Sequence, residues 1–207
     1  GAQTLGHKGE TLNYRKIERL EFDPIFLLYM QKPLFRDICT RTYGQGTPVR
    51  CYRAMFMNKP AGRGTLLPWH QDRWNFIDRD PRITLWLAID PATRANGCVR
   101  IIPGSHHTLF NPSHASGFLT DEQAALIDDR KAIDMELESG ECVLLHNWTL
   151  HCSDVNRTNT PRRAFSVCYM DGHSTVRDDK HKAQEAKWSL IFGNGALDPD
   201  RMATSRA

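Results

Sequence analysis

His70 and Asp72 stand two positions apart in the stretch from Leu66 to Asp72. The stretch reads as extended, and residues i and i+2 of a strand point to the same face, so an imidazole and a carboxylate would be presented side by side. That is two thirds of a two-histidine, one-carboxylate metal site. Such a set leaves open positions on a non-haem Fe(II) for a cosubstrate and for dioxygen. A lone His-x-Asp is more often a hydrogen-bonded surface pair, so the chemistry depends on a second histidine arriving from elsewhere in the chain.

Two later histidines are candidates, His146 and His151. In an antiparallel jelly roll a late strand can lie beside an early one, so the 79 residues between Asp72 and His151 are no obstacle. Spacing alone leaves both open. The segment that follows favours His151, because Arg162 comes eleven positions after it, at the mouth of the next strand. A guanidinium there could grip a carboxylate bidentately, as a dicarboxylate cosubstrate would require. Arg163 is adjacent, and by alternation only one of the two arginines faces the interior.

The elements that must position these groups read as follows. From 13 to 45 apolar residues recur at helical spacing, with Asp23 and Pro24 as a helix start and Gly44 as a stop, which predicts two or three bracing helices. After Gly46 come short runs rich in β-branched and aromatic residues. Strands are expected at Val49 to Asn58, Leu66 to Gln71, Ile83 to Ile89, Cys98 to Ile102, Ala132 to Glu136, Glu141 to Leu145 and Arg163 to Met170. Almost no helical pattern intervenes, which predicts a mainly β jelly roll over about 48–172 rather than a parallel sheet. One capped helix begins at Thr120, after a long polar loop from His106 to Leu119 of the kind that covers a site. A helical patch at Lys180 to Ile191 lies in a C-terminal helix and tail spanning 178–207.

Composition narrows the function classes. The 207 residues suit one domain, and 40% hydrophobic with 25% charged residues is the balance of a globular protein. No apolar run approaches the roughly 18 residues a membrane helix needs, and the first ten residues lack the apolar core of an export signal. A net charge of +3, with scattered basic residues, does not argue for nucleic acid. The six cysteines have no C-x-x-C pair and read as buried free thiols, which points to a reducing, cytoplasmic setting. Oligomeric state is not legible.

In order, Met55 to Pro60, Trp69 to Asp72, Trp86, Asn96 to Cys98, Ile102 to His106, His151 to Ser153 and Arg162 resemble the phytanoyl-CoA dioxygenase-like branch of Fe(II)/2-oxoglutarate-dependent oxygenases. The resemblance spans about residues 13 to 172. It implies a double-stranded β-helix of the cupin type with Fe(II), 2-oxoglutarate and O2 as cofactor and cosubstrates. By the same resemblance His70, Asp72 and His151 are the iron ligands, and Arg162 clamps the distal carboxylate of 2-oxoglutarate with Ser153 as its hydroxyl partner. Met55 and Trp86 line the cosubstrate pocket. Family members carry a longer N-terminal portion, with an additional strand before the helices.

The resulting expectation is an enzyme that decarboxylates 2-oxoglutarate to succinate and CO2 while oxidising a C–H bond of a small molecule, by hydroxylation or ring closure, in natural-product or secondary metabolism. In related halogenases a small residue replaces the metal-binding carboxylate, so Asp72 argues against halogenation. The alternative is a cupin-like isomerase or a sugar- or acid-binding protein without redox chemistry, against which Arg162 and Ser153 count. Gln71, Arg73 and Trp74, beside the ligand pair, are the candidate substrate contacts. The loops at 73–82, 106–119 and 171–180 are charged, which suits a polar substrate.

Overall fold

The computed structural model describes residues 16–62 and 65–204; the sequence readings that fall on 1–15 and 205–207 lie outside them. Among the described residues ten strands form two antiparallel sheets. They are β1 (Lys16–Glu18), β2 (Val49–Lys59), β3 (Leu67–His70), β4 (Ile83–Ala88), β5 (Val99–Ile101), β6 (Ile133–Met135), β7 (Cys142–His146), β8 (His151–Ser153), β9 (Arg162–Asp171) and β10 (Ser189–Phe192). The larger sheet runs β1-β2-β9-β4-β7, with β10 also on β2, and the smaller runs β3-β8-β5-β6. Strands distant in sequence thus lie side by side, and the whole is a jelly roll of the double-stranded β-helix type.

Two helices, α1 (Pro24–Met30) and α2 (Pro33–Tyr43), cover the outer face of the larger sheet. The Asp23 carboxylate accepts the Ile25 N–H at 3.0 Å while proline occupies the first helical position, and Gly44 caps α2. Leu27, Met30, Phe35 and Cys39 meet Val49, Cys51, Leu85, Phe165, Val167 and Tyr169 from the sheet. Polar ties reinforce this layer: the Tyr169 hydroxyl donates to the Met30 carbonyl at 2.8 Å, and the Tyr43 hydroxyl to the Tyr169 carbonyl at 2.7 Å.

The alternate residues Thr84, Trp86, Ser166 and Cys168 face inward, toward the smaller sheet. With both faces covered, β9 reads as a nearly unbroken apolar run. Arg162 at its start is buried, whereas Arg163 faces out and grips Asp90 through its backbone N–H, Nε and Nη2 at 2.8, 2.7 and 2.6 Å. Hydrogen bonding to Arg163, ahead of an opposing burial effect, holds the Asp90 carboxyl below its ordinary pKa. Arg163→Met should cost about 0.5–1 kcal/mol at pH 7, since the arginine is nearly half exposed. A depressed carboxylate contributes above its unfolded pKa, so this difference should vanish as pH falls through the acidic range. Urea unfolding at pH 7 and pH 3 measures both.

Three strands escape the sequence reading. Lys16–Glu18 pairs with β2 although the helical pattern extended over it. His151–Ser153 is only three residues long, too short for alternation to register, yet it bridges β3 and β5. Ser189–Phe192 was read as the end of a helix; the helical part stops at α4 (Lys182–Glu185), and pairing to β2 makes the remainder a strand. The helix after Thr120, α3 (Asp121–Ala125), carries the expected capping box, with Gln123 as the reciprocal partner, but lasts barely one turn. A last helix, α5, spans Pro199–Thr204. Among the described residues no helix is long and apolar enough to cross a membrane.

Candidate active site

β3 ends at His70, and Asp72 lies just beyond it. There the Asp72 N–H donates to the Asn147 carbonyl at 2.8 Å. His70 sits opposite His151 in the β3–β8 pairing, with ring centroids 4.1 Å apart. The ligand atoms of His70, Asp72 and His151 all lie within 4.8 Å of one another. Each histidine places Nδ1 2.8 Å from the carbonyl two residues before it, Pro68 for His70 and Thr149 for His151. A donated Nδ1–H fixes the tautomer and leaves Nε2 with its lone pair, the arrangement usual for ligating imidazoles.

Electrostatics prepare the same group. Burial, and next the neighbouring His151, push the His70 imidazole down to about 3, so it is neutral near pH 7 and its approach to Asp72 is not an ion pair. Burial alone would raise the Asp72 carboxyl, but the charge of Arg53 leads the opposing effects and the pKa falls to about 2. Arg53 donates from Nη2 to Asp72 Oδ2 at 2.9 Å.

Arg162 lines the same cavity and is 3% exposed. Nη2 donates to the Gly97 carbonyl at 3.2 Å, and the guanidinium lies 5.1 Å from the Trp86 ring centre. Its Nε and Nη1 are buried without a partner among the described residues. Burial lowers its pKa to about 10, which still leaves it charged at neutral pH. Gly97 approaches so closely that a Cβ would stand 2.4 Å from the Asp154 carbonyl oxygen, and its φ of +79° is the left-handed region.

Met55, Trp86, Ser153 and Trp74 line this cavity as well. Gln71 and Arg73 do not. The alternation that turns His70, Asp72 and Trp74 inward turns Gln71 and Arg73 the other way. Gln71 is fully buried and braces the loop from 106 to 119: its Nε2 donates to the carbonyls of Thr108 and Trp148, both at 2.7 Å, and its Oε1 accepts the Phe110 N–H at 2.9 Å. Arg73 ties the same loop through the Pro112 carbonyl and lies 3.6 Å from Asp80. Gln71→Leu leaves three part-buried backbone groups without their partner and should cost about 1–3 kcal/mol. Faster proteolytic nicking between Thr108 and Leu119 is the accompanying sign.

The 106–119 loop reaches the cavity through Ser116 and Phe118, whose ring stacks on His70 at 4.6 Å. The 171–180 loop does not line it; Val176 bridges to Ile77 and Arg177 donates to the Ile77 carbonyl, so that loop packs behind the 73–82 segment. Sequence reasoning missed Arg53 and Lys59, which also line the cavity. Counting by twos from Met55 along β2 finds both. Lys59 Nζ donates to the carbonyls of Thr65 at 2.9 Å, Ser153 at 3.4 Å and Asp154.

Comparison with known proteins bears on this arrangement. Residues 7–164, a stretch that includes all three clustered ligands and Arg162, match the sequence profile of the phytanoyl-CoA dioxygenase family. The chain belongs to this family. A probable phytanoyl-CoA dioxygenase of Caenorhabditis elegans is 30% identical over 166 residues, 74% of this chain and 53% of that protein. The phytanoyl-CoA dioxygenase of Arabidopsis thaliana is 26% identical, over 77% of this chain and 58% of its own length. The chain thus spans little more than half the length of these relatives. Among solved structures, EctD from S. alaskensis, crystallised with 2-oxoglutarate and 5-hydroxyectoine, superposes with a TM-score of 0.68 at 21% identity, over 78% of this chain and 58% of EctD. The α-ketoglutarate-dependent epimerase SnoN from nogalamycin biosynthesis gives 0.67 at 17% identity, over 89% and 78%. At these identities the likeness establishes the jelly-roll fold common to this family member and the two enzymes.

Proposed function

We propose that this family member is a mononuclear non-haem Fe(II)/2-oxoglutarate-dependent oxygenase that oxidises a C–H bond of a polar small molecule. The observation that carries the reading is Arg162, a buried guanidinium with two unused donors in the cavity that also holds the His70, Asp72 and His151 group. A buried charge without a counter-ion is costly, and a carboxylate held in a bidentate manner would satisfy it. The donor set, two imidazoles and one carboxylate, suits Fe(II) and leaves one face of the ion open. Iron bound there would supply the coupling of 2-oxoglutarate decarboxylation, to succinate and CO2, with C–H oxidation.

The chain's own residues account for the rest. His70 and His151 would ligate through Nε2 because backbone carbonyls hold Nδ1. Arg162 would take the distal carboxylate of the cosubstrate, with the Ser153 hydroxyl nearby and Trp86 and Met55 as the apolar wall. Trp74 and Phe118 would flank the substrate, whose polar groups meet Arg53, Ser116 and Asn147. That lining supports a polar substrate and is compatible with the hydroxylation or ring closure of secondary metabolism. The retained Asp72 carboxylate disfavours halogenation. All six cysteines are free, which suits a reducing compartment such as the cytoplasm.

Anaerobic addition of Fe(II) and 2-oxoglutarate should produce a weak visible charge-transfer band, and air should then release succinate slowly without substrate. Absence of the band in the wild-type protein overturns the reading. A metabolite screen for stimulated succinate release would identify the substrate.

A further inference from the structure

β2 is not a regular strand. Between Cys51 and Arg53 its register against β9 shifts: Cys51 stands opposite Tyr169 and Arg53 opposite Cys168, so Tyr52 is an extra residue. Val49 and Cys51, before the bulge, pack under the helices. Uninterrupted alternation would send Arg53 to that apolar face as well. With the extra residue, Ala54 takes the place under the helices while Arg53, Met55, Met57 and Lys59 line the cavity. Re-aiming one side chain toward a site is a recurrent use of such bulges.

The guanidinium so delivered is fixed in plane and direction. Tyr52 packs on Trp74 with centroids 4.0 Å apart and the rings tilted by 38°, and Arg53 lies over the Trp74 ring at 5.0 Å. Asp72 is the one carboxylate within ion-pair distance of Arg53 among the described residues. The two oxygens of Asp72 therefore have different surroundings: Oδ2 accepts from Arg53 Nη2 at 2.9 Å, and Oδ1 faces His70 Nε2 at 3.9 Å. A carboxylate can bind a metal ion through one oxygen or both. Here one oxygen already holds a charge-assisted hydrogen bond, roughly twice as strong as a neutral one.

We infer that Arg53, placed by the bulge at Tyr52, is a positioning residue that restricts Asp72 to metal ligation through Oδ1 alone. The inference rests on the proposed function and deepens it. Two imidazoles and a single oxygen leave three positions on a six-coordinate ion, two for a chelating 2-oxo acid and one for dioxygen. A two-oxygen Asp72 would leave one too few. Arg53 thus acts on the open positions through Asp72 and needs no contact with the metal.

The test uses the full chain loaded with Mn(II), without 2-oxoglutarate, and counts metal-bound waters from the broadening of the Mn(II) resonance in oxygen-17 water. Wild type and Arg53→Lys, which keeps a donor and a charge, should hold three waters; Arg53→Met should hold two. Addition of 2-oxoglutarate should then show affinity about tenfold weaker for Arg53→Met, the scale on which second-shell partners act. A purely structural role would lower thermal stability and leave the water count unchanged. Three waters in folded Arg53→Met overturns the inference and leaves the proposed function standing. Wild-type protein that takes up neither Mn(II) nor 2-oxoglutarate overturns the proposed function itself. Should Arg53→Met not fold, infrared difference spectra of the wild type, metal-loaded minus apo, decide the matter. A wide carboxylate splitting supports one-oxygen ligation, and a narrow one overturns it.

Discussion

Arg162→Met is expected to weaken 2-oxoglutarate binding by at least about 100-fold, while the protein without cosubstrate becomes no less stable. Arg162 offers two unused donors, Nε and Nη1, from a side chain 3% exposed. Hydrogen bonds to charged groups contribute about 1.5–3 kcal/mol each, so two lost together amount to about 3–6 kcal/mol. That is a factor of roughly 10² to 10⁴ in affinity. The stability result has the opposite sign, because the folded chain bears an uncompensated buried charge, and methionine removes the charge while keeping much of the stem. The offsetting losses are the bond to the Gly97 carbonyl, about 1 kcal/mol, and the cation–π contact with Trp86. Anaerobic titration of the charge-transfer band and a thermal melt of each variant read the two effects. Arg162→Lys should restore the charge but not the fork, and so recover only part of the affinity. Equal 2-oxoglutarate affinity in all three proteins would remove Arg162 from the cosubstrate site.

Asp72→Ala should abolish metal binding and also destabilise the fold by about 1–2 kcal/mol, because Arg53, half-buried beside Trp74 with its side chain 27% exposed, is left without its counter-ion. The double variant Arg53→Met with Asp72→Ala should recover much of that loss without recovering metal, which separates the ion pair from ligation. pH provides a second handle on the metal-free protein. Asp72 has a folded pKa of about 2, below the unfolded value of about 3.9. A lowered carboxylate pKa contributes stability above the unfolded value and loses it as pH falls through the folded one. The stability gap between wild type and Asp72→Ala should therefore be full at pH 7 and shrink between pH 4 and pH 2. Cobalt titration and denaturant unfolding measure the two losses, and a gap independent of pH would contradict the ion-pair account.

Much of this site was legible from the chain, for physical reasons specific to each residue. His70 and Asp72 share a face because side chains alternate in extended backbone, and this holds although β3 stops at His70. His151 could be preferred over His146 only through Arg162 downstream and the family resemblance; pairing of β8 with β3 then brings it to His70. The same alternation, applied one residue further, would have excluded Gln71 and Arg73 from the cavity. Arg53 was hidden for another reason. Counted forward from Val49 and Cys51, alternation sends it under the helices, because a one-residue register shift against β9 intervenes; only a count back from Met55 keeps it on the cavity face. Lys16–Glu18 and Ser189–Phe192 were likewise decided by a partner strand rather than by their own pattern.

The segment from Thr108 to Leu119 is sewn to the strand that carries His70 and to the residues just after it at several points. Gln71 and Arg73 hold it, the Leu119 N–H donates to the Trp69 carbonyl, and the Gln71 N–H to the Gly117 carbonyl at 3.0 Å. Gly117 has φ of +72°, and a Cβ there would stand 2.0 Å from the Gln71 carbonyl oxygen, so no other residue fits without moving the strand. Yet Pro112 to Ala115 are exposed. A splice confined to these four positions could exchange the rim that meets incoming molecules while the seam at Gly117 and Phe118 keeps His70 in register. The exposed tip of this loop and the seam beneath it are separable parts, open to independent replacement by grafting.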